Sequence, residues 1–324
     1  MKTAFRLILA SLLIVGTASL GKTQIAEVTH NTWTSGTAMP TPVSSSTAAV
    51  IKTAIYVVGG NSAAGFGGNG LVADVQIYNP ATNAWSTAAS FPTTIEAASS
   101  AVVKNVLYVF GGTADASTAT NAVWAYNSKT NACTGLAAMP TARWGSQAVV
   151  EKKTKIIYVI GGYDGKGNSL ATVESYNPAT NTWTEQAPML LADNSVAAGL
   201  VGTTIVVADG STAGGQVTGY TEGYDAATNS WTSLAADSTA RVESCSGGIG
   251  AKLYDAGGYL NNAGAAGTVN ESFQLSKNKW ATLAAMPQGT MFGSSAVYKG
   301  KLYCFGGWAT FSGTPLNNVQ IYQP

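Results

Sequence analysis

The residues best suited to chemistry in this sequence are two arginines at equivalent positions of an internal repeat. Arg143 and Arg241 each follow a Thr-Ala dipeptide, and the only other arginine is Arg6. In the same two repeats, Tyr163 and Tyr259 directly follow a Gly-Gly pair. A guanidinium can bind a carboxylate in a bidentate manner. The two Arg-Tyr combinations therefore predict a binding site for a carboxylate or another polar anion.

Carboxylates at a similar level of the repeat leave two other interpretations open. Asp193 occupies the arginine position in the intervening repeat, and Glu96 and Glu243 lie close to that position in their own repeats. Because buried charges are generally paired, an arc of Arg143, Asp193 and Arg241 that neutralises itself is an alternative to ligand binding. Two carboxylates at one site would also suit acid–base catalysis.

Aromatic residues near the same positions predict an apolar floor for the site. Trp144 directly follows Arg143, and Trp308 directly follows the last Gly-Gly pair. The other candidates are Phe66, Phe292 and Phe311. Such rings suit stacking against a sugar or a peptide, and ordinary packing between sheets is the alternative explanation.

Composition excludes several classes of function. His30 is the only histidine, which rules out a multi-histidine zinc or copper site and argues against Ser–His–Asp catalysis. A net charge of +1 gives no basic surface for nucleic acid. No phosphate-binding glycine loop precedes a helix, and we expect no cofactor and no metal. The cysteines are few and odd in number, so we expect no disulfide framework: Cys133, Cys245 and Cys304.

A repeat with a period of 48 to 52 residues organises these positions. Each copy holds a short apolar run before Gly-Gly, a second run ending in an aromatic residue, and usually a Trp seven residues later. Asp209-Gly210 replaces Gly-Gly in the fourth copy. Tight turns rich in Asn and Pro separate the later runs, so each copy predicts four short antiparallel strands. A period of about 50 residues with this content is typical of a propeller blade.

This pattern resembles the kelch repeat over residues 30–324. The resemblance implies an all-β fold, a six-bladed β-propeller of kelch repeats. Kelch domains that bind acidic peptides often carry arginines at the position of Arg143 and Arg241, with a Tyr after Gly-Gly. That position opens the innermost strand of a blade, so we expect it at the mouth of the central channel. Long segments after Gly-Gly predict a loop-rich face on which binding usually resides.

The two ends of the repeat region complement each other. The last copy stops at Tyr322 without the segment that carries Trp, whereas Trp33 stands before the first copy in a segment like the missing one. We therefore expect the N-terminal segment to supply the outer strand of the last blade and close the ring. A closed ring has no open sheet edge to invite association, and we expect a monomer.

The N-terminal residues have the features of a secretory signal peptide. Lys2 and Arg6 precede a short apolar stretch, Leu7–Val15, and small residues follow it. We expect a signal peptide at 1–21 and a propeller at 22–324, exported to the periplasm or the extracellular space. No stable membrane span should remain after cleavage, because the apolar stretch is short.

These features favour a secreted, non-catalytic binding module that holds a protein segment or glycan, including an anionic one, on its loop-rich face. A structural cell-surface repeat protein is one alternative. Another is an enzyme similar to the periplasmic six-bladed kelch epimerases for sialic acid, a sugar-acid epimerase or mutarotase. In that enzyme Arg143 and Arg241 would hold the sugar carboxylate, and Glu96 or Glu243 would transfer protons.

Overall fold

The structure, a computed structural model, describes residues 30–66, 69–115, 117–260, 264–311 and 313–324. The described residues form six four-stranded antiparallel sheets, which are the blades, and one two-stranded ribbon. Each blade corresponds to one copy of the repeat. The predicted all-β, six-bladed propeller is therefore confirmed. The signal peptide expected at 1–21 lies outside the described residues.

The innermost strand of each blade comes first in the chain, and the outermost strand comes last except in blade 6. The strands of blade 1 are Thr47–Ile51, Ala54–Val58, Val75–Asn79 and Ala84–Thr87. Those of blade 2 are Ser99–Val103, Val106–Phe110, Val123–Asn127 and Ala132–Gly135. Those of blade 3 are Gln147–Val150, Ile157–Ile160, Val173–Asn177 and Thr182–Gln186. Those of blade 4 are Ala197–Val201, Thr204–Ala208, Thr221–Asp225 and Ser230–Leu234. Those of blade 5 are Cys245–Ile249, Lys252–Ala256, Asn270–Gln274 and Lys279–Thr282. Those of blade 6 are Ser294–Tyr298, Lys301–Phe305, Val319–Gln323 and Thr32–Ser35. The ribbon pairs Arg241–Val242 with Tyr259–Leu260, and one 3-10 turn spans Leu275–Lys277.

The N-terminal strand closes the ring as predicted. Thr32–Ser35 pairs antiparallel with Val319–Gln323, the third strand of blade 6, and Trp33 lies opposite Tyr322. The two rings are 5.1 Å apart, and the Trp33 indole Nε1 donates a hydrogen bond of 2.8 Å to the carbonyl of Ala284. Packing and hydrogen bonding thus join the first strand to the last blade.

The repeated Tyr, Asn and Trp residues form one structural unit at the edge of most blades. In blade 3, Tyr176 packs on Trp183 at 4.9 Å and donates its hydroxyl proton to Asn181 at 2.7 Å. Asn181 has a φ of 57°, which its short side chain tolerates in the tight turn. The indole of Trp183 donates to the carbonyl of Ala137, in the linker that enters the blade. Each polar group of these aromatics is therefore satisfied where it is buried.

The Gly-Gly pairs attach each blade to the next. The N–H of Gly112 donates a hydrogen bond of 2.9 Å to the carbonyl of Arg143 in the following blade. Gly111 has a φ of 61°, and a Cβ there would lie 2.2 Å from the same carbonyl, so no other residue fits without a shift. The corresponding bond is kept where Asp209 replaces glycine, because Gly210 donates to the carbonyl of Arg241.

Candidate functional site

The position that holds the two arginines lies in the packed interior between blades, not at the channel mouth. All six residues at this position are buried: Val43, Ile95, Arg143, Asp193, Arg241 and Thr290. Both guanidinium side chains are 0% exposed. The expectation that they face the channel mouth is wrong. The Gly-Gly contact with the backbone of this position clamps it against the preceding blade, and its side chain packs inward.

Arg143 is balanced by one carboxylate and several backbone carbonyls. Its Nη2 lies 2.9 Å from Glu174 Oε2, and its Nη1 donates to the carbonyls of Gly161 and Thr172, each at 2.9 Å. Glu174 also accepts a hydrogen bond from the Thr141 hydroxyl at 2.6 Å. Burial lowers the pKa of Arg143, and the ion pair with Glu174 offsets only part of that effect.

Arg241 is surrounded by four carboxylates, which together with it we call the Arg241 cluster. Nε lies 3.2 Å from Asp255 Oδ2 and 3.5 Å from Asp209 Oδ2. Nη2 lies 2.5 Å from Asp237 Oδ2 and also contacts Glu271 Oε2. Burial alone lowers the pKa of Arg241, but the four negative charges outweigh burial and raise it.

Excess negative charge in the Arg241 cluster shifts its carboxyl groups towards the protonated form. Burial and then the neighbouring charge of Asp255 raise the pKa of Asp209 well above its usual range. Burial, followed by the charge of Asp237, also raises the pKa of Glu271, although Arg241 opposes that rise. Asp209, Asp237 and Asp255 offer oxygens within 4.8 Å of one another, a spacing suited to a metal ion. The guanidinium of Arg241 already supplies a cation to all three.

Asp193 and Glu96 are buried apart from the arginines. Asp193 accepts hydrogen bonds from the N–H of Asn194 at 2.9 Å and from the Thr218 hydroxyl at 3.3 Å, and burial raises its pKa to about 7. The alternative prediction, that Asp193 neutralises Arg143 and Arg241, is therefore wrong, because each arginine pairs with other carboxylates. Glu96 is buried, its backbone pairs with that of Thr113, and it is not among the described residues that line the channel, contrary to the expectation that it lies at the mouth.

The channel mouth is formed by residues two positions after the arginine position. Their backbones form a closed ring of hydrogen bonds. Each N–H donates to the carbonyl of the equivalent residue in the preceding blade, with N···O distances of 2.7 to 3.2 Å. We call this ring the collar; it consists of Ser45, Ala97, Gly145, Ser195, Glu243 and Phe292. All six have φ between 50° and 60°, a left-handed conformation that turns the chain into the innermost strand.

A channel of about 360 Å³ runs from the collar along the innermost strands. Its lining is rich in Ser, Ala and Gly, as expected where six strands converge on an axis. Among the described residues that line it, Glu243 is the only one with a charged side chain. The hydroxyl of Ser195 donates to Glu243 Oε1. Burial raises the pKa of Glu243 to about 7, and the hydrogen bond from Ser195 only partly offsets this rise.

Aromatic rings cross the loop-rich face above the collar. Tyr163 contacts Trp144 at 4.6 Å, and Trp144 contacts Phe66 at 5.1 Å. Phe66 in turn lies 6.2 Å from Phe292. Because Phe66 belongs to blade 1 and contacts rings of blades 3 and 6, it must lie near the propeller axis. Tyr163 and Trp144 are thus linked through Phe66 to Phe292 of the collar, and their part in ligand binding stays a prediction.

The row of rings continues over blades 5 and 6. Phe292 contacts Phe311 at 5.8 Å, and Phe311 contacts Tyr259 at 4.9 Å. Trp308 lies beneath the row, 5.0 Å from Phe292, and is fully buried rather than part of an open floor. Phe311 is 45% exposed. We call the row the aromatic arc: Tyr163, Trp144, Phe66, Phe292, Phe311 and Tyr259.

Several residues of the charged clusters were not predicted from the sequence, although the repeat contained a signal for them. Asp237 stands where the other blades have Met or Phe, and Asp255 stands where they have Val or Cys. Asp209 replaces the first Gly of a pair, and only this departure was noticed. Three acidic departures from one repeat, all adjoining the same arginine, would have predicted a buried charge cluster. Glu174 and Glu271 occupy one equivalent position that also holds Gln76 and Gln320.

In the part of the chain that the structure describes, no helix has the length and apolar character needed to cross a membrane. The three cysteines are free, with Cys245 and Cys304 buried and Cys133 half-buried.

Comparisons with known proteins identify relatives along most of the chain. The family model of the Attractin/LZTR1 beta-propeller matches residues 65–320. Kelch-like protein terF of Aspergillus terreus is 30% identical over 189 residues, which are 55% of this chain and 41% of that protein. Kelch-like protein 25 of Xenopus tropicalis is 27% identical over 231 residues, 68% of this chain and 38% of that protein. The chain thus spans less than half the length of these curated relatives.

A solved structure shows the same fold. The structure of YjhT superposes with a TM-score of 0.75 at 20% sequence identity, covering 88% of this chain and 96% of that one. At this level of identity the similarity concerns the fold alone.

Proposed function

This chain belongs to the kelch-repeat β-propeller family, and we propose that it is a non-catalytic module that binds a protein segment on its loop-rich face. Kelch propellers typically bind protein partners. The observation that carries the proposal is the aromatic arc, whose rings cross the loop-rich face above a channel lined by small residues, many of them serines. Aromatic residues at a rigid, partly exposed surface are typical of the centre of a binding interface.

The arc offers both contact area and polar anchoring. Phe311 is exposed, and the rings of Tyr163 and Tyr259 are half-buried, so each can lose further water on binding. Hydrophobic burial of such rings contributes most of the affinity in many interfaces. The serines of the channel lining supply hydrogen bonds that fix orientation.

A display library of random 12-residue peptides tests this proposal. Peptides selected on the wild-type protein should bind the variant F311A about tenfold more weakly, the loss expected for an interface aromatic. Leu190 is a matched control, because it is 54% exposed and lies outside the aromatic arc. The variant L190A should bind like the wild type. Equal affinity for F311A and wild type across the selected peptides would refute binding at the arc.

A glycan is the alternative ligand for the same surface, because aromatic faces also stack on sugar rings. A glycan array probed with wild type and F311A separates the two ligands. Binding to a glycan with no selected peptide would replace the protein partner with a carbohydrate. We also propose that the protein is exported and acts as a monomer, on the basis of the leader-like segment at 1–21 and the closed ring. N-terminal sequencing of protein recovered from the secreted or periplasmic fraction tests the export.

The sugar-acid epimerase has less support than the binding module. It requires a guanidinium in the channel to hold the sugar carboxylate, and both Arg143 and Arg241 are buried in ion pairs. Among the described residues of the lining, Glu243 is a single carboxylate without a second acid or base beside it. The geometry therefore supports binding better than catalysis.

A further inference from the structure

Glu243 is a charged group in the channel that neither the fold nor the ion pairs account for. The ion pairs among the described residues all involve Arg143 or Arg241, and Glu243 takes part in none of them. Among the residues that the structure describes, its one side-chain partner is the neutral hydroxyl of Ser195. A carboxylate removed from bulk water without a cation is unfavourable, so its retention in the collar requires a reason.

The collar residues that follow Glu243 carry further groups that suit a cation. Phe292 follows it in the ring, and its N–H donates a hydrogen bond of 2.9 Å to the carbonyl of Glu243. Ser45 comes next, and its N–H donates a hydrogen bond of 2.7 Å to the carbonyl of Phe292. The hydroxyl oxygen of Ser45 is buried, with the residue 6% exposed, and it has no hydrogen-bond partner. Three successive collar residues therefore carry a carboxylate, an aromatic ring and a hydroxyl oxygen with no hydrogen-bond partner, and each of these groups can bind an ammonium or guanidinium.

The charges elsewhere favour a cation over an anion. Both arginines that could have attracted an anion are sequestered in the interior with carboxylates. The lining contributed by the other five blades holds Ser, Thr, Ala, Val, Gly, Gln and Phe among its described residues, and none of these carries a charge. The electrostatic field in the channel is therefore set by Glu243 and is negative whenever that group is ionised.

We propose that the collar binds a lysine or arginine side chain of the partner segment, held between Glu243, Ser45 and Phe292 while the aromatic arc holds the flanking residues. This inference rests on the proposed function, since it names the side chain by which the protein partner enters the channel. It reverses the ligand charge expected from the two arginines. A channel of about 360 Å³ has room for one extended basic side chain.

Affinity should depend on pH in a defined direction. The cation is attracted by ionised Glu243, and the raised pKa of about 7 means that protons compete with it near neutrality. Binding should therefore strengthen as pH rises from 6 to 8 and reach a plateau above that. Ser195, whose hydroxyl donates to the carboxylate, does not titrate, and no other described residue of the channel lining carries an ionisable side chain, so we expect Glu243 to govern the change.

The experiment uses peptides selected from the 12-residue library on the wild-type protein. Each selected peptide is compared with a copy in which its Lys or Arg is replaced by norleucine, on wild type, E243Q and E185Q. We expect the replacement to weaken binding to wild type more than tenfold and to E243Q less than threefold. Glu185 is exposed on an outer strand, so E185Q removes the same charge elsewhere and should behave like wild type.

The outcomes separate the two proposals. Selected peptides that lack basic residues, or a norleucine effect equal in wild type and E243Q, overturn the basic side chain and leave the binding module standing. A library that yields no binding peptide overturns both. The pH profile of the wild-type protein needs no variant, and affinity that is flat or falls between pH 6 and 8 also overturns the basic side chain.

Discussion

Blades 3 and 5 carry an arginine at the same repeat position, yet the two arginines are balanced in different ways. Arg143 has Glu174 and backbone carbonyls, and its pKa is lowered by burial. Arg241 has Glu271 at the position of Glu174 and three further carboxylates, and its pKa is raised. The comparison teaches that a repeat fold fixes where a side chain lies, whereas neighbouring blades decide whether its charge is undercompensated or overcompensated.

The three additional carboxylates come from positions that are neutral in the other blades. Asp209, Asp237 and Asp255 stand where the other blades carry Gly, Met or Phe, and Val or Cys. One buried guanidinium cannot neutralise four ionised carboxylates, so part of the charge is removed by protonation. The raised pKa of Asp209 reflects this sharing.

Loss of the guanidinium should have the largest effect of all. R143V leaves one buried carboxylate and should lower the free energy of unfolding by about 3 kcal/mol, whereas R241V leaves four and should lower it by more than about 5 kcal/mol. Urea unfolding monitored by tryptophan fluorescence measures both.

If R241V does not fold, a combined variant keeps the comparison testable. R241V with D209G, D237M, D255V and E271Q gives this site the residue types found at the corresponding positions around Val43 in blade 1. It should recover folding, because an apolar replacement of a buried charge network is often neutral or stabilising. Equal losses in R143V and R241V, or no recovery, would contradict the distinction between the two arginines.

Removal of the equivalent glutamates should reverse the order of the blades. E174Q removes the one carboxylate that pairs with Arg143 in the described part of the chain and should cost about 3 kcal/mol, since an unpaired buried cation remains. E271Q leaves Arg241 with three carboxylates and hence no unpaired cation, so it should cost less than about 1 kcal/mol. Differential scanning calorimetry of the two variants decides between them, and a larger loss in E271Q would show that Arg241 depends on that glutamate alone.

Raised carboxyl pKa values in blade 4, next to the Arg241 cluster, should make the protein less stable in mild alkali than in mild acid. Burial raises the pKa of Asp193 and Glu222 to about 7, above their ordinary values near 4. Folding then takes up protons, so this stability is present below about pH 4 and is lost as pH rises through about 7.

The unfolding free energy should accordingly fall by at least about 1.4 kcal/mol between pH 5 and pH 8, the equivalent of one pKa unit. D193N should flatten the slope, whereas D225N, which changes an exposed carboxylate, should not. A wild-type protein that gains stability over this range would show that other groups dominate.

The smallest effect is expected from the residue that interrupts the Gly-Gly pattern. Asp209 has a φ of 58°, which favours glycine, and its carboxyl group adds to the crowded charge around Arg241. D209G should raise the unfolding free energy by about 1 kcal/mol at pH 8, from relief of left-handed strain and of charge repulsion. At pH 5 the gain should be smaller, because the raised pKa of Asp209 favours its uncharged form as the pH falls. A loss of stability at pH 8 would mean that its attraction to Arg241 outweighs both terms.

Much of the fold was predictable, but less of the candidate site. Trp33 and Tyr322 were correctly paired across the ends of the chain, because only one blade lacked an outer strand. Trp144, Tyr163 and Tyr259 all belong to the aromatic arc, and their part in ligand binding stays a prediction. The arginines, Asp193 and Glu96 were predicted at the channel mouth but are buried elsewhere. Equivalent spacing in the repeat shows which residues correspond, but not which way their side chains point. Phe292 and Ser195 had no sequence signal as members of the collar.

The amino-acid sequence by itself determined the number of blades, the closure by the N-terminal strand and the aromatic units at blade edges. These depend on local spacing and on the burial of large rings, which repeat in every copy. Only the tertiary structure decided which residues face the channel. A left-handed residue in each collar position interrupts the alternation of the strand, and the carbonyl clamped by Gly-Gly turns the arginine position inward. The side chain two residues later, Glu243 in blade 5, therefore meets the channel instead of the arginine.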